Sequence, residues 1–200
     1  MKSAAKVISF IFHPALVTTL GFILLFNSSF FFSILPWEVK KFVLIVVFLT
    51  TGLLPVFTMA VMALNPRFSL SFEKSTDRVL PLVFSAIYYS LGYYLLDKLP
   101  AYSIFKILLL ATTLVIILLL LTSYKWKVSN HLAGLGGLLG TVLALSFRMG
   151  VNPVFIISGI ILLSGVVGTS QMILGKYNLP QIFGGFAIGF SILYLVVYFI

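Results

Sequence analysis

The sequence predicts an all-α protein, a polytopic helix bundle of six to seven transmembrane helices. Hydrophobic residues make up 61% of the 200 positions and charged residues 8%, and the mean hydropathy is +1.20. So few polar side chains cannot cover the surface of a water-soluble globule. Apolar runs of about twenty residues, the length that crosses a bilayer, also recur between polar breaks. We therefore expect one integral membrane domain over residues 1–200.

Seven segments have the length and composition of membrane-spanning helices. They are residues 5–26, 42–64, 80–97, 103–123, 131–149, 153–170 and 181–199. The first is the least regular, because His13-Pro14 interrupts it and apolar residues continue almost unbroken to Trp37. A half-inserted or tilted first segment would leave six full crossings instead of seven. The connections are too short for a soluble domain, so any site is expected at helix ends or between helices.

The composition excludes several classes of function. The chain has no cysteine, which rules out disulfides, thiolate metal sites and a cysteine nucleophile. Its four acidic residues are too few and too scattered for a metal-dependent phosphatase, so no metal or other cofactor is expected. The net charge of +9 is spread over the connections, which favours anionic lipid headgroups and excludes nucleic acid as a partner.

Polar residues are concentrated in three clusters near the starts of predicted spans. They are NPRFSLSFEKSTDRVLP before residues 80–97, SYKWKVSNH at the start of 131–149, and TSQMILGKYNLPQ before the last span. Two crossings separate each cluster from the next, so all three must face the same side of the membrane. Each lies near a helix N-terminus, where unpaired N–H groups and the helix dipole favour an anion. The clusters therefore predict a shared phosphate site that includes Lys74, Arg78 and His131.

The order of these motifs resembles the type-2 phosphatidic acid phosphatase superfamily, and most of all its compact bacterial members. EKSTDRVLP is similar to the first motif, WKVSNHLAGLGG to the second, and SQMILGKYNLPQIFGGFAIG to the third. The resemblance covers about residues 70–190, which would form a phosphatase-like core. It implies a phosphorylated lipid or isoprenoid as the partner, and the bacterial inner membrane as the location.

The resemblance also implies a role for each polar position of the core. His131 would be the general acid that protonates the leaving alcohol, and Tyr177 stands where the nucleophilic histidine is expected. The remaining positions, at or around the substrate phosphate, are Lys74, Arg78, Ser129, Asn130, Gln171 and Gln181. In this pattern Gln171 replaces an arginine, and Gln181 replaces the residue that orients the nucleophile. The middle motif is specific, whereas Lys74 and Arg78 stand closer together than in the superfamily.

Two functions follow from these departures, and both stay open. Tyrosine is a weak nucleophile at neutral pH because its phenol is protonated, and a neutral glutamine stabilises oxyanions less than arginine does. The chain is then a divergent lipid phosphate or polyprenyl diphosphate phosphatase with a remodelled third motif. Alternatively, it is a non-catalytic relative that binds a phospholipid headgroup or supports another membrane protein.

Each of these residues also has a simpler structural interpretation. Lys74 and Arg78 would be interfacial residues whose charged ends reach the headgroups, and Tyr177 an interfacial aromatic. His13, beside a proline, is interpreted as a kink or a helix start with a buried imidazole. Small-xxx-small patterns predict close helix packing and not a phosphate loop. They are formed by Gly134, Gly136, Gly137, Gly140, Gly184, Gly185 and Gly189.

Overall fold

The computed structural model describes residues 2–64, 79–98 and 103–200, and within these ranges all regular structure is helical. The α-helices are α1 (Lys2–Ile11), α2 (Pro14–Phe26), α3 (Trp37–Val47), α4 (Leu54–Ala63), α5 (Val79–Leu96), α6 (Ser103–Ser123), α7 (Asn130–Met149), α8 (Val154–Ile173) and α9 (Leu179–Phe199). A short 3-10 helix, Phe31–Ile34, lies between α2 and α3. A π-helical segment, Phe48–Leu53, joins α3 to α4.

Six helical segments of the described chain are long and apolar enough to cross a membrane. They are Trp37–Ala63, Val79–Leu96, Ser103–Ser123, Asn130–Met149, Val154–Ile173 and Leu179–Phe199. Helices α1 and α2 form a bent pair with an angle of 59° between them, which makes a seventh span if the pair crosses as one. The predicted all-α class and the count of six to seven spans are confirmed. The protein is an integral membrane helix bundle.

The bend between α1 and α2 follows from the dipeptide His13-Pro14. Proline has no N–H to continue the helix, and it disfavours the helical conformation of the residue before it. His13 is accordingly extended, with φ −61° and ψ 138°, and its Nδ1 accepts a hydrogen bond from the Ala15 N–H at 3.3 Å. The predicted kink is therefore a complete break. Helix α2 starts anew at Pro14, and α1 packs against α8.

Helices α7 and α9 make the most extensive helix contact among the described residues, and small residues explain it. A Cβ on Gly136 or Gly140 of α7 would overlap main-chain atoms of α9. A Cβ on Gly185 or Gly189 of α9 would equally overlap main-chain atoms of α7 and the residue before it. Gly137 faces Leu193 of α9, Gly134 faces Val17 of α2, and Gly184 faces the Trp126 ring. The packing role predicted for the glycines is confirmed.

The α7–α9 pair is parallel, so the starts of both helices lie side by side. Gly185 near the start of α9 faces Ser129, and Gly189 one turn later faces Ala133. The Ser129 N–H also donates to the Gln181 carbonyl oxygen at 3.0 Å. The prediction that the second and third polar clusters meet is confirmed. Lys74 and Arg78, of the first cluster, lie outside the described residues.

Candidate anion-binding site

A cavity of about 860 Å³ lies inside the bundle and is lined by α1, α2, the π-helical segment, α4, α5, α6, α7, the end of α8 and one residue of α9. This volume is in the upper part of the range of small-molecule sites. Most of its wall is apolar, with a few hydroxyl groups. Charged and strongly polar side chains gather where α7 begins and α8 ends, and this region is called the polar end. It consists of Lys6, Ser9, His13, Lys127, Asn130, His131, Gln171, Lys176 and Tyr177.

The last turn of α8 brings two of these side chains to the cavity. Gly175 has a φ of +66°, a left-handed conformation that glycine adopts without strain. Its N–H donates to the Met172 carbonyl, and the Lys176 N–H donates to the Gln171 carbonyl, which ends the helix as a Schellman motif. The chain turns at this point, so Lys176 and Tyr177 follow directly as lining residues.

Ser129 and Gln181 were expected near the phosphate, but the structure uses both side chains to cap helices. Ser129 is fully buried, and its Oγ accepts the Leu132 N–H at 3.4 Å as the N-cap of α7. The Gln181 Oε1 accepts the Asn178 N–H at 2.9 Å in the capping box of α9. Neither side chain lines the cavity. The physical reason is that the first N–H groups of each helix need acceptors that the helix does not supply.

His131 lies in the first turn of α7, where its buried ring meets residues of α1. Its Nε2 lies 3.1 Å from the Ser9 carbonyl oxygen and 3.4 Å from the Ser9 Oγ. A carbonyl oxygen only accepts hydrogen bonds, so Nε2 is the donor and carries a proton. The His13 ring packs edge-on to this imidazole, with ring centroids 5.8 Å apart and an interplanar angle of 79°. The two histidines of the chain therefore meet in one cavity.

Three residues of the polar end come from the first segment of the chain, and the motif pattern does not indicate them. They are Lys6, Ser9 and His13. A different signal was available, because their spacing of three and four residues places polar side chains on one face of an otherwise apolar segment. Polar residues on the inner face of a membrane helix are commonly functional. The position of His13 opposite His131 depends on the 59° bend, which spacing alone does not give.

Gln171 is completely buried and lines the cavity. Its Nε2 donates to the Ser9 Oγ at 2.9 Å. Its Oε1 has no hydrogen-bond partner in the part of the chain that the structure describes. A buried polar atom without a partner costs about 1–3 kcal/mol. The amide therefore leaves one polar atom unsatisfied at a position that is closed to solvent.

The polar end carries positive charge without a carboxylate among its described lining residues. Lys6, Lys127 and Lys176 line it, and the Lys127 Nζ lies 5.3 Å from the centre of the Tyr177 ring, a cation–π contact. The two acids that the structure describes lie elsewhere, Glu38 in the first turn of α3 and Asp97 in an ion pair after α5. Within residues 2–64, 79–98 and 103–200, no three His, Asp or Glu side chains lie close enough together to hold a metal ion. The charges favour an anionic ligand.

The structure thus gathers four of the predicted site residues around one cavity. These are Asn130, His131, Gln171 and Tyr177. Comparison of the chain with known protein families, curated proteins and solved structures finds no match.

Proposed function

We propose that this membrane protein binds the phosphate group of a lipid at the polar end of its cavity. The observation that carries the proposal is the composition of that wall. Three lysines and two histidines line it, with no carboxylate among the described residues. The apolar remainder of the cavity suits a hydrocarbon chain, and a phosphorylated lipid or isoprenoid carries both groups. The resemblance of the motifs to the type-2 phosphatidic acid phosphatase superfamily supports the same ligand class and a bacterial inner-membrane location.

The arrangement of the side chains favours binding over hydrolysis. A nucleophilic imidazole needs an unprotonated nitrogen directed at phosphorus. His131 uses Nε2 to donate to the Ser9 carbonyl, and the His13 Nδ1 accepts the Ala15 N–H, which leaves the proton of a neutral ring on Nε2. The unprotonated nitrogen of the neutral His131 ring is then Nδ1, which is buried, so neither ring presents an unprotonated nitrogen to the cavity. We propose a non-catalytic role in which the protein holds or presents a phosphorylated headgroup.

A divergent lipid phosphate or polyprenyl diphosphate phosphatase is the second candidate function. The observation that favours it is the 5.8 Å separation of the two imidazoles, since a nucleophile and a general acid need such proximity. His13 would have to release the Ala15 N–H and carry its proton on Nδ1 before Nε2 could attack phosphorus. As the P–N bond forms and the ester P–O bond breaks, the imidazolium form of His131 would give a proton to the leaving alkoxide oxygen, and water would then hydrolyse the phosphohistidine to release phosphate.

Lipid binding tests the first candidate with a matched pair of lysine variants. Lys127 lines the cavity, whereas Lys125, two residues earlier, is exposed and does not. We expect Lys127→Gln to weaken binding of dioctanoyl phosphatidic acid to the protein in detergent by about tenfold, and Lys125→Gln by less than about twofold. Equal effects of the two substitutions would show that general surface charge, and not the cavity, attracts the lipid.

Phosphate release separates the two candidate functions. The substrates are dioctanoyl phosphatidic acid and a short isoprenyl diphosphate, with the wild type beside His131→Ala and His13→Asn. Binding without release by the wild type supports the non-catalytic role. Release that both substitutions abolish would establish the phosphatase with a histidine pair. Appearance of activity in Tyr177→His combined with Gln171→Arg would identify an enzyme whose third motif has lost its function.

A further inference from the structure

We infer that α1 and the break that follows it complete the phosphate site, with Lys6 and His13 as ligand-binding residues. This inference rests on the proposed function. The superfamily pattern places the site in the core of residues 70–190, whereas the structure places α1 along one wall of the cavity. The consequence is that the first segment is a functional part of the site as well as a membrane anchor.

Contacts with α8 and α7 hold α1 in this position. Ser9 is buried, and it connects three helices through its two oxygen atoms. Its Oγ accepts from the Gln171 Nε2 of α8 at 2.9 Å, and its carbonyl oxygen accepts from the His131 Nε2 of α7 at 3.1 Å. Lys6 lies three residues before Ser9, on the same helix face, and lines the cavity.

The resemblance implies an arginine at position 171, and this arrangement offers a physical explanation for the glutamine found there. The neutral Gln171 amide joins α8 to α1. An arginine at this position could make the same connection, but it would add a further positive charge beside Lys6 and Lys176. The positive charge expected at position 171 is instead supplied from α1, one helical turn from the point where Gln171 attaches.

The Gln171 amide anchors α1 to α8 and is not itself a phosphate ligand. The residue is completely buried, and its Oε1 has no hydrogen-bond partner among the described residues. An amide oxygen accepts hydrogen bonds and does not bind an anion. A phosphate oxygen at the polar end would instead receive hydrogen bonds from the Lys6 ammonium and from the His13 Nε2–H.

The N-cap geometry of α2 assigns the donor role to His13. Its Nδ1 accepts the Ala15 N–H, so the proton of the neutral ring lies on Nε2. This side chain lines the cavity and packs against His131. The His13 imidazole thus caps α2 through Nδ1 and donates to the ligand through Nε2.

A charge-matched pair of lysines in α1 tests the inference. Lys6 and Lys2 are both exposed residues of α1, but only Lys6 lines the cavity. We expect Lys6→Gln to weaken binding of dioctanoyl phosphatidic acid by about tenfold and Lys2→Gln by less than about twofold. Inorganic phosphate is the second probe. If Lys6→Gln weakens the binding of both probes, Lys6 recognises the phosphate group itself. If it weakens only the binding of the lipid, the site recognises an esterified phosphate.

His13→Asn tests the histidine without removing the helix cap. Asparagine is a strong N-cap residue, so the thermal midpoint should stay close to that of the wild type. Binding of dioctanoyl phosphatidic acid should weaken by about fivefold because the imidazole donor is lost. The variant Gln171→Arg in the Lys6→Gln background should recover binding, since it returns a cation to the same wall.

Failure of this inference is distinguishable from failure of the proposed function. Wild-type binding that Lys6→Gln and Lys2→Gln reduce equally would overturn the role of α1 and leave the lipid site in place. Unchanged affinity in His13→Asn would overturn the role of His13. If the wild type binds neither dioctanoyl phosphatidic acid nor inorganic phosphate, both proposals are overturned.

Discussion

Replacement of Gly140 by alanine should push α7 and α9 apart and destabilise the bundle. A Cβ at this position would lie 2.5 Å from the Phe190 carbonyl oxygen, whereas real Cβ atoms essentially never come within 3.0 Å. The nearest neighbours of this Cβ, the Phe190 carbonyl oxygen and the Tyr194 nitrogen, belong to the main chain of α9 and cannot rotate away as a side chain can. If α7 and α9 move apart by about 0.5 Å to relieve the overlap, the neighbouring side chains between them each lose roughly a quarter of their dispersion energy. We therefore expect a loss of about 2–3 kcal/mol, in the upper part of the range for overpacked cores.

Thermal unfolding in one detergent measures this effect, with Gly165→Ala as the control. A Cβ on Gly165, in α8, meets no atom within 4 Å, so the same chemical change causes no overlap there. Alanine should even favour that helix by up to about 1 kcal/mol. The midpoint of Gly140→Ala should fall by about 4–12 °C, and that of Gly165→Ala should hold or rise. Equal midpoints for the two variants would refute the account of the α7–α9 contact.

Three further predictions concern single hydrogen bonds, each measured as a thermal midpoint in detergent. Arg148→Met removes the bond from Nη1 to the Val197 carbonyl at 2.8 Å, and because this arginine is exposed we expect a loss of only about 1 kcal/mol. Thr18→Val and Tyr89→Phe each break the 3.0 Å hydrogen bond between the two hydroxyl groups, so each should lower the stability by about 0.5–1.5 kcal/mol. Additive losses in the double variant would argue against this hydrogen bond. Asn178→Ala removes the N-cap of α9 and should cost about 1 kcal/mol, while Asn178→Ser should cost much less; equal losses would contradict the capping box.

The helix bundle was predictable because the length and hydrophobicity of a segment are enough to identify a membrane helix. The break at His13-Pro14 and the packing glycines were equally accessible, since proline chemistry and small-residue spacing act locally. Counting crossings placed the second and third clusters on the same side of the membrane, where the structure shows them in contact. None of these inferences needs the direction in which a side chain points.

The composition of the site was less predictable, because it depends on which partner each polar group finds. Ser129 and Gln181 satisfy N–H groups at helix starts, and Asn178 with Gln181 three residues later is in fact a capping-box pattern that the sequence displays. The meeting of His13 with His131 joins residues far apart in the chain. It depends on the angle at which α1 leaves α2, which no local pattern encodes.

The central claim is that the polar end recognises a phosphate group and not merely a lipid chain. Equilibrium binding of dioctanoyl phosphatidic acid and of dioctanoylglycerol, which has the same chains without the phosphate, tests it most directly. We predict saturable binding of the phosphatidic acid, at least about tenfold tighter than that of the diacylglycerol and weakened by salt. Equal affinities for the two lipids would contradict the account, since the lysines and histidines of the cavity would then have no anionic ligand to distinguish.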